Sequence, residues 1–340
     1  MSKYTIIVLL LFYSLNIMAQ DIHFSQFNDL PLAMNPALSG SMDGTFRTGV
    51  LYRNQWNSVS VPFESTGLFA DFKRSPRILN DQSMGWGIQF LNDRSGSGGL
   101  NESIFTINGS FQQYLNSSKN QLISYGISFG GFQKSIDVSA IKFQDQFQIQ
   151  SLNFGSSSSE ENFQNNSLTR FNLATGATYT YYNEYGYQLT TGVSLYNINK
   201  PNTSFFGNED PLSRKFNFHA SGIYPLNRRI DIDPSLLYSR QAKNNNFVAG
   251  ADILYNLGRR TVEKIDLKLG IYGRLKDAMN FTIGMNHDNW NIDIGYDLNL
   301  SSLMPVSNSR GAFEISISYV NRMFKGAKNM MYIIPGDRLL

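Results

Sequence analysis

The residues able to do chemistry are few and badly spaced for it. Three histidines occur, His23, His219 and His287, and no two stand at metal-ligand spacing. Cysteine is absent, which removes disulfides, thiolate metal sites, a cysteine nucleophile and a lipoprotein anchor. His219 falls in a predicted strand and His287 at a turn, so both are expected at a surface or interface. Asp293 and Asp297 share one face, as a glycosidase pair could. A polar interior lined by hydrated or hydrogen-bonded acids explains them better. The run Arg94-Ser95-Gly96-Ser97-Gly98-Gly99 lacks the G-K-[ST] ending of a phosphate loop and fits a hairpin connection. A Ser–His pair assembled by the fold stays open. The expectation is a non-enzyme with no cofactor and no metal. With 29 Lys and Arg against 26 Asp and Glu, and no basic cluster, no nucleic-acid partner is expected.

The elements around these residues follow from composition and period. Only 16% of the 340 residues are charged, while 14% are aromatic and Gly is abundant. That excludes a disordered chain and a helical bundle. A single stretch, Ile6–Leu15, is strongly apolar, so a multi-span helical membrane protein is excluded too. Beyond Gly44 the pattern alternates with period two, the signature of strands. Trp290, Ile292, Ile294, Tyr296 and Leu298 lie on one face, and Asn291, Asp293, Gly295, Asp297 and Asn299 on the other. Phe313, Ile315, Ile317 and Tyr319 alternate in the same way with Ala312, Glu314, Ser316 and Ser318.

About fourteen strands are predicted, at 44–53, 63–74, 84–93, 102–114, 121–134, 168–182, 186–198, 214–224, 230–240, 246–257, 264–275, 278–287, 290–300 and 311–320. Most have the roughly ten residues that a tilted strand needs to cross a bilayer. One face is aromatic and β-branched; the other is Gly, Ser, Thr, Asn and Asp, too small and polar for the core of a soluble sandwich. The fold class predicted is all-β: a transmembrane antiparallel up-and-down β-barrel with an N-terminal arm and a short C-terminal tail. By parity Arg47, Arg53, Asp252, Asp266, Lys268, Arg274, Asp293, Asp297 and Glu314 point inward, where they must pair or bind water.

The organisation expected is a signal peptide at 1–19, an arm or hatch segment at 20–43, the barrel at 44–320 and a periplasmic tail at 321–340. Lys3, the apolar run and Ala19 have the form of a secretory signal. Pro31 and Pro36 keep the arm irregular, so it either packs in or under the lumen or acts as a hatch or docking peptide. Connections alternate between short and long, which places both termini in the periplasm of a Gram-negative outer membrane. The longest, 135–167, is either a solvated loop or a partner-binding one.

A family resemblance rests on particular residues. Asp21-Ile22-His23-Phe24-Ser25-Gln26-Phe27, Pro31-Leu32 and Asn35-Pro36-Ala37-Leu38-Ser39-Gly40 resemble the start of mature PorP/SprF proteins of the Bacteroidetes type IX secretion and gliding machinery. Tyr52-Arg53-Asn54-Gln55-Trp56, Phe143-Gln144-Asp145-Gln146 and the stretch Gly311–Tyr319 are similar to later family segments. The ending Met331–Leu340 matches no family pattern. The resemblance implies an outer-membrane barrel, embedded among outer-membrane lipids, that helps deliver and anchor a specific secreted protein. Its partners would be a secreted adhesin or other substrate bearing a type B C-terminal domain, and a periplasmic lipoprotein linked to peptidoglycan and the secretion motor. Partner-binding residues are then expected at His23, Phe24, Gln26, Phe27, Asn35 and Pro36 on the lumenal or periplasmic side. Arg53, Gln55, Trp56, Phe143, Asp145 and Gln146 are expected on the extracellular side. Two alternatives stand beside this: a hydrophobic small-molecule channel resembling fatty-acid transporter barrels with a hatch, which requires an apolar lumenal pocket, and an outer-membrane lipase or protease.

Overall fold

The computed structural model describes residues 22–56, 61–76, 81–95, 99–137, 146–148, 153–154, 166–205, 208–257, 265–301 and 304–321. The predicted signal peptide, nearly all of the tail, Phe143 and Asp145 lie outside the described residues.

The chain enters with an irregular arm: a 3-10 turn at Phe27–Asp29, one helical turn α1 at Pro31–Met34, and a second 3-10 turn at Pro36–Leu38. Five long strands follow: β1 (Phe46–Gln55), β2 (Phe63–Arg74), β3 (Gln82–Ser95), β4 (Leu100–Tyr114) and β5 (Gln121–Ser135). The longest connection carries a two-residue hairpin, β6 (Phe147–Gln148) with β7 (Asn153–Phe154). Then come β8 (Ser167–Tyr182), β9 (Gln188–Tyr196), β10 (Lys215–Pro225), β11 (Ile230–Gln241), β12 (Asn244–Asn256), β13 (Ile265–Arg274), β14 (Ala278–His287), β15 (Trp290–Asn299) and β16 (Arg310–Asn321), with a short turn α2 (Met304–Ser307) before the last.

Fourteen of these strands form a closed antiparallel barrel, β1 pairing with β2 on one side and β16 on the other. Closure leaves no edge strand with unpaired N–H and C=O groups, which hydrocarbon would not tolerate. Each barrel strand lies within two residues of its predicted ends. The strands run from 9 residues in β9 to 16 in β8, so part of the wall is taller than a bilayer crossing requires.

The two faces separate as the alternation demands. Trp86, Ile88, Tyr125, Ile127, Phe171, Leu269, Ile271 and Ile283 are exposed on the outer face. Residues of opposite parity, such as Asn108, Ser124, Ser128, Asn280 and Thr282, are buried in the lumen. No described helix is long and apolar enough to span a membrane. Near the start of β16, pairing with β15 slips between Tyr296 and Leu298, a bulge beside Gly311.

Candidate functional site

The centre of the lumen is occupied by the arm. Along residues 24–40 every side chain is buried except Asn28, Asp29 and Ala33. Leu30, Leu32, Asn35, Ala37 and Ser39 are essentially without solvent contact. The arm starts in one half of the barrel and leaves through the other. Ser25 lies level with Arg53, Arg274 and Asp297, toward the strand ends that lead into connections 56–62, 275–277 and 300–309. Gly40 donates its N–H to Asp71 Oδ2 (2.7 Å), in the opposite half, just before the chain turns into β1.

Charge holds the first stretch. Glu314 receives the consecutive backbone N–H groups of Ser25 (2.8 Å to Oε1) and Gln26 (2.9 Å to Oε2). Arg53 bonds Glu314 and also donates to Asp297 Oδ2 at 2.9 Å. Arg274 Nη2 reaches the same Asp297 oxygen at 2.7 Å, and Ser25 Oγ donates to it at 2.9 Å. Asn280 Nδ2 fills the other oxygen at 2.8 Å. Two guanidiniums and two carboxylates thus balance, and the arm's backbone completes the set. Such charge-assisted bonds are about twice as strong as neutral ones. The Gln26 amide, oriented as its neighbours require, donates to Asp29 Oδ2 (3.0 Å) and accepts from the Gly295 N–H (3.0 Å). Ser316 Oγ donates to the same Asp29 oxygen at 2.5 Å.

Mostly neutral side chains hold the second stretch by capturing backbone carbonyls, with Arg47, paired to Asp71, adding a bond of 3.3 Å to Leu38 O. Ser194 Oγ (2.6 Å) and Asn217 Nδ2 (3.1 Å) donate to Met34 O. Ser124 Oγ donates to Ala37 O at 2.7 Å, and Ser110 Oγ (2.6 Å) and Gln112 Nε2 (2.9 Å) share Ser39 O. Asn35 works in both directions. Its Oδ1 accepts from the Ala37 N–H (2.9 Å), capping the second 3-10 turn, and its Nδ2 donates to Ala177 O (3.1 Å) and Val193 O (3.0 Å). The wall is notched to let the backbone this close. A Cβ on Gly126 would overlap Pro36 and Ala37, and one on Gly85 would overlap the Ser39 carbonyl.

Apolar contacts join the two stretches. Phe24, Leu30 and Leu32 pack on Leu51, Phe69 and Leu91 of the wall. Phe27, Met34 and Leu38 pack on Val248 and Tyr272, with the Phe27 ring edge-on to Tyr272 at 6.0 Å. The inner wall is therefore less uniformly polar than its Gly, Ser, Asn and Asp content suggests, because a few inward positions are apolar where the arm meets them.

The residues picked out from sequence fall into separate groups. Phe24, Gln26, Phe27, Asn35 and Pro36 are buried and hold the arm in place, while His23 is half-buried. Arg53, expected as a contact on the extracellular side, lies in the barrel half that leads into connections 56–62 and 300–309, but it is 2% exposed and belongs to the ion network rather than to a surface. A guanidinium in the dry interior needs carboxylate partners, and Asp297 and Glu314 supply them. Gln55 accepts from Arg53 Nη2 at 3.3 Å, and Trp56 stands edge-on to Phe63 at 5.4 Å near the mouth. Gln146 is half-buried before the short hairpin, apart from the lumenal group. His219, expected at a surface or interface, is buried where the wall meets the arm, with 3.2 Å between its Nε2 and the Asn35 amide. Phe216 and Phe218 take the outer face, so alternation turns His219 inward. Ser124 and Ser194 were missed, since a serine that captures a carbonyl leaves no mark in period or spacing.

The acids form no catalytic pair. Asp297 is filled by cations and amides, and Asp293 accepts from Lys268 Nζ at 2.8 Å. Among the described residues no group of three or more His, Cys, Asp or Glu could hold a metal. A polar cavity of about 330 Å³ lies at the β14–β15 turn end, beneath the arm, lined by Asn28, Asp29, Asp43, Arg47, Asp266 and Asn289 among others.

Fold and site together define an outer-membrane β-barrel whose own N-terminal segment fills the middle of its lumen. The chain belongs to the type IX secretion system membrane protein PorP/SprF family, whose model matches residues 16–319. This places it with membrane proteins of secretion rather than with a known enzyme class. Among solved structures it is similar to the Ralstonia pickettii toluene transporter TbuX, with 11% identity, a TM-score of 0.51, and coverage of 86% of this chain and 93% of that one. It is also similar to a TodX deltaS2S3 mutant monoaromatic hydrocarbon channel, with 12% identity, a TM-score of 0.50, and coverage of 86% and 94%. At such identities the likeness is one of fold. No curated protein is significantly similar in sequence.

Proposed function

We propose that this barrel serves type IX secretion as a docking platform, not as a conduit. It receives a specific secreted protein, such as an adhesin with a type B C-terminal domain, at the mouth carrying the long connections. It contacts a periplasmic lipoprotein of the secretion machinery at the opposite mouth. The observation that carries this reading is the buried arm, fixed at mid-lumen by Glu314, Arg53 and Asp297 on one side and by serine and amide donors on the other. A filled lumen leaves the two mouths as the working surfaces. Connections 136–166, 197–214 and 300–309 would face outward and the shorter turns, with both ends of the barrel chain, the periplasm.

The test is deletion of the gene followed by comparison of the surface proteome. One or a few secreted surface proteins are expected to disappear from the cell exterior; an unchanged surface proteome would overturn the proposal. Because the chain has no cysteine, single cysteines at Asn208 and Lys119 report orientation in intact cells. An impermeant maleimide is expected to label position 208 and spare position 119.

The channel alternative takes its support from the similar structures, a toluene transporter and a monoaromatic hydrocarbon channel. It requires an apolar pocket open in the lumen. The apolar inner-wall residues Leu51, Phe69, Leu91 and Val248 are instead covered by the arm.

A further inference from the structure

One break in the barrel wall faces the membrane. Between β10 and β11, pairing is continuous from Lys215↔Gln241 to Ser221↔Ser235 and resumes at Tyr224↔Ile232. The gap coincides with Pro234, which has no N–H to give, opposite Gly222, which has no side chain. On the outer face this leaves an apolar notch of about 260 Å³. Tyr181, Leu189, Tyr224 and Pro234 rim it, and all four are exposed. Tyr187 braces the rim, its ring set at 4.8 Å from that of Tyr224.

Immediately beyond Tyr224 the chain turns through Leu226–Arg229 into β11. Asn227 Oδ1 accepts the N–H groups of Arg229 (2.9 Å) and Ile230 (3.0 Å), fixing this turn. Arg228 and Arg229 are both exposed on it, and neither forms an ion pair with a described residue. An apolar notch within the lipid-facing belt, tyrosines at its rim and two exposed guanidiniums just past the belt, Arg229 keeping one long bond of 3.5 Å to Tyr255 Oη, form a consistent vertical order. Tyrosine rings favour the level of lipid headgroups, and arginine matches phosphate geometry.

We propose that this notch is a seat for one anionic phospholipid, its acyl chain lying over Gly222 and Pro234 and its phosphate meeting Arg228 and Arg229. The occupant follows from position and charge. The notch opens onto the lipid-facing surface, and the cationic turn selects an anionic headgroup from that surface. A neutral lipid would fill the notch without using the turn.

Native mass spectrometry of the purified full chain, with phosphatidylglycerol or phosphatidylcholine added to the detergent, tests this. Wild type is expected to retain phosphatidylglycerol at least about fivefold more than phosphatidylcholine, each tenfold corresponding to 1.4 kcal/mol. Arg228→Ala with Arg229→Ala should erase the preference while both lipids still bind. Gly222→Leu, which fills the notch, should cut retention of both lipids several-fold. Equal retention by wild type, or an unchanged profile for Gly222→Leu, would overturn the proposal. If Gly222→Leu fails to form a heat-modifiable barrel, Leu189→Trp carries the test instead. Its added fluorescence should be quenched at a lower mole fraction by phosphatidylglycerol with brominated acyl chains than by the phosphatidylcholine counterpart, and coincident quenching curves would refute the seat.

Discussion

Along β13, β15, β16 and β1 the inner wall meets the arm with charge: Arg53, Arg274, Asp297 and Glu314 close around Ser25 and Gln26. Along β4, β5, β9 and β10 it meets the arm with neutral groups: Ser110, Gln112, Ser124, Ser194 and Asn217 each donate one bond to an arm carbonyl. The difference lies in how failure would spread. In the charged half each group depends on the others, because removing one leaves an uncompensated charge away from water. In the neutral half the loss of one donor leaves the rest in place. The first stretch is thus a single interlocked fastening and the second, apart from the Arg47–Asp71 pair at Leu38 and Gly40, a row of neutral ones.

The largest effect is expected where that interlock is cut. Arg53→Ala strands Glu314 without its cation and should cost about 3–5 kcal/mol of barrel stability, read as a urea midpoint of the barrel refolded in detergent micelles. Next comes Glu314→Gln, which keeps the shape but can accept only one of the Ser25 and Gln26 N–H groups, in a neutral bond, and turns its NH2 toward the other. About 1.5–3 kcal/mol should go, with the arm becoming cleavable by protease while the barrel persists. Gly126→Ala tests the close approach in the neutral half. Its Cβ must displace Pro36 and Ala37, for about 1–3 kcal/mol, and proteolysis should map the release to 34–40 rather than 22–27. Ser124→Ala should be the mildest, about 0.5–1.5 kcal/mol, and additive with Ser194→Ala. If Ser124→Ala proved as costly as Arg53→Ala, or strongly non-additive with Ser194→Ala, the contrast between the two halves would be lost.

Much of the barrel was legible beforehand for a simple reason. A strand with lipid on one side and a packed lumen on the other must alternate, and a period of two survives in sequence. That is why the inward positions of Arg53, Asp297 and Glu314 followed from parity alone, and why β14 and β2 fell on their predicted residues. The site was legible only in outline. Asn35 and Pro36 stood out through a resemblance, and Pro31 and Pro36 marked the arm as irregular. Nothing in sequence brings Ser25 to Glu314, 289 positions away. Nor does it distinguish Ser124, which holds the arm, from Ser128, buried on the same face of β5. His219 was expected at a surface or interface, and it lies where the wall meets the arm, a contact that no local pattern specifies.

By itself, then, the sequence determined a closed, lipid-facing barrel and the sign of the charge at each inward position, since these depend on local period and on the solvent each face meets. Only the tertiary structure decided that the arm fills the lumen, which charges pair across it, and where the wall is notched to receive it. Those outcomes depend on through-space distance, and distance between residues far apart in the chain is fixed by closure of the barrel, not by any property of the residues taken singly.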